Sequence, residues 1–88
     1  MTEADIYAAL TEIMRDVFGD DSISINAGTT APDIAGWDSQ AHVSLIVATE
    51  LHFGVRFKTS EFEGLRNVGD FVRLIGQKLA AAPSTRNA

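Results

Sequence analysis

Apolar residues recur in a helical rhythm through the first eighteen positions. Ile6, Leu10, Ile13 and Val17 are separated by four, three and four residues, which places them on one stripe of a helix that Tyr7, Met14 and Phe18 widen. Thr2 followed by Asp5 resembles a capping box, with Asp in the place of the usual Glu or Gln, and Gly19 stops the helix. The spacing therefore predicts a helix over 2–18. From 19 to 37 the rhythm is lost. Asp20, Asp21, Ser22, Asn26, Gly28, Pro32 and Gly36 punctuate the stretch, while Ile23, Ile25, Ile34 and Trp37 fall at intervals too irregular for a strand. Loops of this length are usually functional or disordered. The scattered apolar residues predict that this one is pinned to the core.

A second helix is predicted from Ser39 to Phe53, closed by Gly54. Its apolar residues, Val43, Leu45, Ile46, Val47, Ala48, Leu51 and Phe53, spread over more than one face. Val43, Val47 and Leu51 are four apart, so they form a stripe that either faces outward to a partner or is buried against the long loop. Ser60 and Glu63 suggest a capping box for a helix of barely more than one turn. Asn67 with Asp70 starts the last helix, in which Val68, Phe71, Val72, Ile75 and Leu79 repeat every three or four residues. From Ala80 onward the amphipathic pattern is gone. The expected core is Ile6, Leu10, Ile13, Val17, Leu45, Phe53, Val68, Val72 and Ile75.

Composition narrows the function classes. Eighty-eight residues make at most one domain, which buries about 60 to 65% of the surface of its unfolded chain. A core this thin leaves little room for the deep cleft that shelters most enzyme chemistry. Twelve acids against seven bases give a net charge of −5, and no Lys/Arg cluster appears. Nucleic acid and anionic membrane surfaces are therefore disfavoured as partners. The absence of cysteine excludes disulfides, thiolate metal sites and thiol chemistry from the chain itself. Met1–Asp5 has no basic or apolar leader character, so a cytoplasmic monomer is expected.

The candidate chemistry sits at Gly36-Trp37-Asp38-Ser39, where an acid and a hydroxyl open the most apolar helix. Two readings stand beside each other. Asp38 caps the helix and Ser39 merely occupies its first turn, or Ser39 is placed there to be covalently loaded. A serine in that position is exposed, and a phosphodiester formed on it would meet free backbone N–H groups and the positive end of the helix dipole, worth about 0.3 to 1 kcal/mol. Asp38 alone is a poor general base for an alcohol, so an external enzyme would have to activate the hydroxyl. His42, one turn on, does not complete a hydrolytic triad, because nothing nearby supplies an oxyanion hole; an exposed position near Ser39 is expected for it. His42 and His52 lie ten residues apart, about 15 Å along a helix and on different faces, so they cannot share a metal ion.

Taken together, the amphipathic helix, the long loop, Asp38-Ser39, the Phe53-Gly54-Val55 helix end, the short helix and Asn67-Val68-Gly69-Asp70 resemble the acyl carrier protein family along nearly the whole chain. The resemblance implies an all-α four-helix bundle over residues 1–80, and the loss of amphipathic pattern beyond it predicts a flexible tail at 81–88. It implies a carrier that performs no reaction itself. Its serine, matched by Ser39, would receive a 4'-phosphopantetheine arm from coenzyme A through a phosphopantetheinyl transferase, with Asp38 assisting recognition. The arm would hold acyl groups as thioesters for fatty-acid, polyketide or other specialised biosynthesis. An acyl-loading ligase or acyltransferase and the downstream biosynthetic enzymes would be partners, meeting Gln40, Val43, Ser44, Val47 and Glu50.

Two departures bear on those partners. Gln40 stands where the family usually has leucine, and the attachment helix offers mainly Glu50 where the family commonly shows several acids. A peptidyl or aminoacyl carrier and an unmodified helical interaction module are the alternatives. Asp rather than His before the serine leans away from the first of these.

Overall fold

The computed structural model describes residues 2–81. It contains helix α1 (Glu3–Phe18), a single 3-10 turn (Ala31–Asp33) within the long loop, α2 (Ser39–Phe53), α3 (Thr59–Glu63) and α4 (Val68–Ala81). The architecture is the all-α bundle of three longer helices and one short one. α4 runs through Ala81, and the remainder of the expected tail lies outside the described residues.

Local chemistry sets the helix bounds. Thr2 accepts the Asp5 N–H at 3.2 Å and Asp5 accepts the Thr2 N–H at 2.9 Å, so the capping box closes in both directions. Gly19 and Gly54 end α1 and α2 in the left-handed region, at φ 63° and 69°. α3 begins two residues earlier than expected. The cap is Lys58, whose N–H donates to Glu61 at 2.7 Å, and not Ser60 with Glu63. Lys78 then reaches the other way to bind Glu61 at 2.8 Å, fastening α3 to α4.

α1 packs against both α2 and α4. Ile6, Leu10, Ile13, Leu45, Val68, Val72 and Ile75 are buried as the periodicity indicates. Val17 and Phe53 are only half-buried, because each occupies the last turn of its helix and lies at the rim. Met14, Ile46 and Phe71 complete the helical part of the core, joined by Ile23, Val55 and Phe57 from the connections. Full burial of one such side chain contributes about 1.5 to 3 kcal/mol, so a dozen of them outweigh any single polar contact. Thr49 is fully buried too; its hydroxyl donates to the Leu45 carbonyl at 2.7 Å, which satisfies it within the helix.

The long loop is fastened to the bundle rather than draped over it. Ile23 is buried, Ile25, Ile34 and Trp37 pack on the core, and Arg15 holds the Ile23 carbonyl at 3.0 Å. At its middle the loop meets the start of α4, where Val68 N–H donates to the Thr29 carbonyl at 2.8 Å and Gly69 N–H to the Ala27 carbonyl at 3.0 Å. These two bonds satisfy donors that a helix N-terminus otherwise leaves unpaired. Asn67 accepts the Asp70 N–H at 2.8 Å and caps the same helix. The Asn67-Val68-Gly69-Asp70 stretch is thus a docking seat for the loop that leads to Ser39.

Candidate functional site

The site is the entry of α2. Asp38 is its N-cap, in extended backbone, and its Oδ1 accepts the Ala41 N–H at 2.8 Å. Ser39 follows as the first helical residue and is exposed. Among the described residues no hydrogen bond engages its hydroxyl, and none engages the N–H groups of Ser39 and Gln40. The first turn of α2 contains no acidic residue. An anion placed on Ser39 therefore meets two unpaired donors and the positive end of the dipole.

Behind Ser39 runs a row of rings. Phe18 from the end of α1 packs on Trp37 with centroids 5.5 Å apart, Trp37 stacks on His42 at 6.0 Å, and Phe62 of α3 covers the other side of His42 at 5.9 Å. Trp37 Nε1–H donates to His42 Nδ1 at 3.2 Å. His42 is consequently half-buried and structurally engaged, which corrects the expectation that it stands exposed. The indole N–H can only donate, so the imidazole nitrogen facing it is the acceptor in this contact. No sequence rule links residues five apart across a helix start, and the pair was not foreseeable from spacing.

A cavity of about 80 Å³ adjoins this row, lined by Leu45, Ile46, Leu65, Val68 and Phe71 together with Trp37, His42 and the more polar Thr29, Arg66 and Asn67. A separate open groove at the surface joins Ser39, Asp38, Val43, Phe62 and Glu63, and it too is bordered by Trp37 and His42.

The expected partner face is resolved unevenly. Gln40, Val43, Ser44 and Val47 are exposed. Val43, Val47 and Leu51 remain 58%, 47% and 79% exposed, so the stripe faces outward and is not buried by the loop. Glu50 is half-buried: Oε2 accepts the Phe57 N–H at 2.8 Å and fastens the segment after α2. It also borders a shallow groove with Val47, Leu51 and Arg56. No group of three or more His, Asp or Glu side chains among the described residues is placed to hold a metal ion. No helix among them is long and apolar enough to cross a membrane.

A model of the phosphopantetheine attachment site matches residues 8–75. An acyl carrier protein of Rhodococcus erythropolis is 31% identical over 99% of this chain and 96% of its own length. The chain belongs to the acyl carrier protein family. The carrier also resembles a meromycolate extension acyl carrier protein of Mycolicibacterium smegmatis, 36% identical over 89% of this chain and 78% of that one. The solution NMR structure of holo acyl carrier protein from Geobacter metallireducens superposes with a TM-score of 0.80 at 47% identity, over 84% of this chain and 85% of that one. The protein is a carrier rather than an enzyme, and its cofactor is 4'-phosphopantetheine. The residues present fit that group: the start of α2 offers an unengaged hydroxyl with unpaired N–H donors beside it.

Proposed function

We propose that Ser39 carries the 4'-phosphopantetheine arm and that the protein presents apolar acyl intermediates of fatty-acid-type synthesis to a series of enzymes. The observation that carries the reading is the exposed, hydrogen-bond-free hydroxyl of Ser39 at the opening of α2. When bound, the arm supplies a terminal thiol that holds cargo as a thioester. The Ser39 oxygen forms the new P–O bond, the phosphoanhydride of coenzyme A breaks with its nucleotide as leaving group, and the hydroxyl proton passes to a base of the transferase. That base is external, since Asp38 is committed to the Ala41 N–H as a cap. Asp38 keeps the helix entry in the form the transferase meets.

Apolar cargo is supported by the lining of the cavity beside Trp37 and His42, and by the names of the relatives, which include carriers for meromycolate extension. Partner enzymes, including the loading ligase or acyltransferase, approach the face of Gln40, Val43, Ser44 and Val47, with Glu50 at its far end. The carrier acts as a monomer in the cytoplasm. Incubation with coenzyme A and a broad-range phosphopantetheinyl transferase, followed by intact-mass spectrometry, tests the assignment. A single mass gain that disappears in Ser39→Ala is expected; a gain that survives the substitution would place the arm elsewhere.

A further inference from the structure

Most cations of the bundle are paired on their own chain: Arg15 with Glu12, Arg66 and Arg73 with Asp70, and Lys78 with Glu61. Among the described residues, Arg56 and Lys58 are exposed and have no salt bridge. Their placement follows from the extended stretch after α2, where side chains alternate: Val55 and Phe57 turn into the core, while Arg56 and Lys58 turn outward. Arg56 thereby borders the shallow groove lined by Val47, Glu50, Leu51, Gly54 and Val55. We propose that this groove seats an amphipathic helix of a partner protein, with apolar side chains of that helix on Val47 and Leu51 and an aspartate or glutamate of it on Arg56. The inference rests on the chain being a carrier that enzymes visit.

The groove itself selects that occupant. Val47 and Leu51 are exposed and stand one helical turn apart, the spacing at which apolar side chains of a second helix interleave. The groove is open at the surface, so it suits a helix laid across it better than an enclosed small molecule. Glu50, the one carboxylate on it, accepts the Phe57 N–H at 2.8 Å through Oε2 and makes no ion pair with Arg56. A second copy of the chain, docking through the same face about a two-fold axis, would bring Arg56 only that engaged carboxylate. It would also bring together two molecules of net charge −5. The same negative charge disfavours an anionic lipid surface, to which Arg56 and Lys58 alone would be drawn on this face. The acid that answers Arg56 therefore belongs to a different protein. A partner with lysine or arginine at the facing position is repelled, so Arg56 sorts visiting enzymes by charge. At this one place the carrier takes an acidic partner, the opposite of what its net charge selects.

Benzoylphenylalanine placed at Leu51 of the chain, expressed in its own cells and illuminated there, captures whatever lies on the groove. The crosslinked peptide is then sequenced. It is expected to come from another protein and to carry apolar residues three or four apart with an Asp or Glu beside them. With that partner isolated, Arg56→Glu should raise the Kd roughly tenfold or more by setting like charges face to face, and exchanging the partner's acid for lysine should restore binding to that variant. Arg56→Gln, which removes the charge without reversing it, should raise the Kd only about two- to fivefold. Thermal melts of both variants should match the native chain, because Arg56 is exposed and makes no salt bridge among the described residues. Crosslinks confined to a second copy of the chain or to lipid would overturn the proposal. So would a captured segment without an acid, an unchanged or lowered Kd in Arg56→Glu, or no crosslink at all. An absent phosphopantetheine mass gain overturns the Ser39 assignment instead, and the Kd of the unmodified chain still reads the groove, so the two failures are told apart.

Discussion

Gly69 lies directly against Ala27: its N–H donates to the Ala27 carbonyl at 3.0 Å, and a Cβ built at Gly69 would stand 2.9 Å from that same oxygen. The long loop can seat on α4 only because residue 69 has no side chain. Gly69→Ala forces backbone apart from backbone, a kind of overpacking that costs about 1 to 3 kcal/mol and exceeds the roughly 1 kcal/mol that alanine gains in helix propensity. Urea unfolding is expected to show net destabilisation. Gly76→Ala should do the opposite, because its Cβ meets only Ile6 Cδ1 at 3.7 Å, and a gain of about 0.5 to 1 kcal/mol is expected.

Acid should weaken the fold through a few surface carboxylates. Asp5 is held below its ordinary value by the Thr2 N–H and hydroxyl, Asp20 by the Ser22 hydroxyl and N–H, Glu61 by the Lys58 N–H and then Lys78, and Asp70 by the Arg66 side chain and N–H. Each folded value is depressed, so the stabilisation is complete above the ordinary values of 3.8 for Asp and 4.5 for Glu. It is lost as pH falls through the lower folded values. Thermal melts should therefore be flat toward mildly acid pH and decline once the pH drops below 4.5, more steeply below 3.8. Asp70→Asn should make that decline shallower.

Ser39, Val43, Val47 and Leu51 are spaced by four along α2, so the exposed apolar stripe continues the row that Ser39 heads. Val47→Ser or Leu51→Ser removes a side chain that the free protein does not bury, and stability should change by no more than about 0.5 kcal/mol. Transfer to a partner enzyme should suffer instead, with KM raised roughly tenfold or more if the side chain is buried in the complex, as burial of one such group is worth about 1.5 to 3 kcal/mol. An uncharged face also implies that KM responds weakly to salt. Steady-state kinetics at low and high ionic strength check both points.

The helices were legible in the sequence where caps and period agree. Thr2 with Asp5, Gly19, Asp38 and Gly54 mark helix ends that the structure reproduces, because each acts on backbone groups within a few residues of itself. α3 shifted by two residues because Glu61 competes with Glu63 as the capping acid, and the ion pair with Lys78 on another helix favours Glu61. α2 was ambiguous for a physical reason: Leu45 and Ile46 face inward while Val43 and Val47 face outward, so no single face is apolar. The same blindness to tertiary contacts hid the Trp37–His42 bond and the engagement of Glu50 by the Phe57 N–H. Gly69 was visible as part of a motif, but its reason, the approach of Ala27 from across the fold, appears only in three dimensions.

The attachment residue is tested most directly by locating the arm on the protein isolated from its own cells. Trypsin, cutting after Arg15 and Arg56, releases a peptide of residues 16–56 that contains Ser22, Ser24, Ser39 and Ser44. Fragment ions of that peptide should assign the added phosphopantetheine to Ser39, with Ser22, Ser24 and Ser44 unmodified. An added mass on one of those other serines, or a peptide bearing none while the carrier is active, would contradict the account.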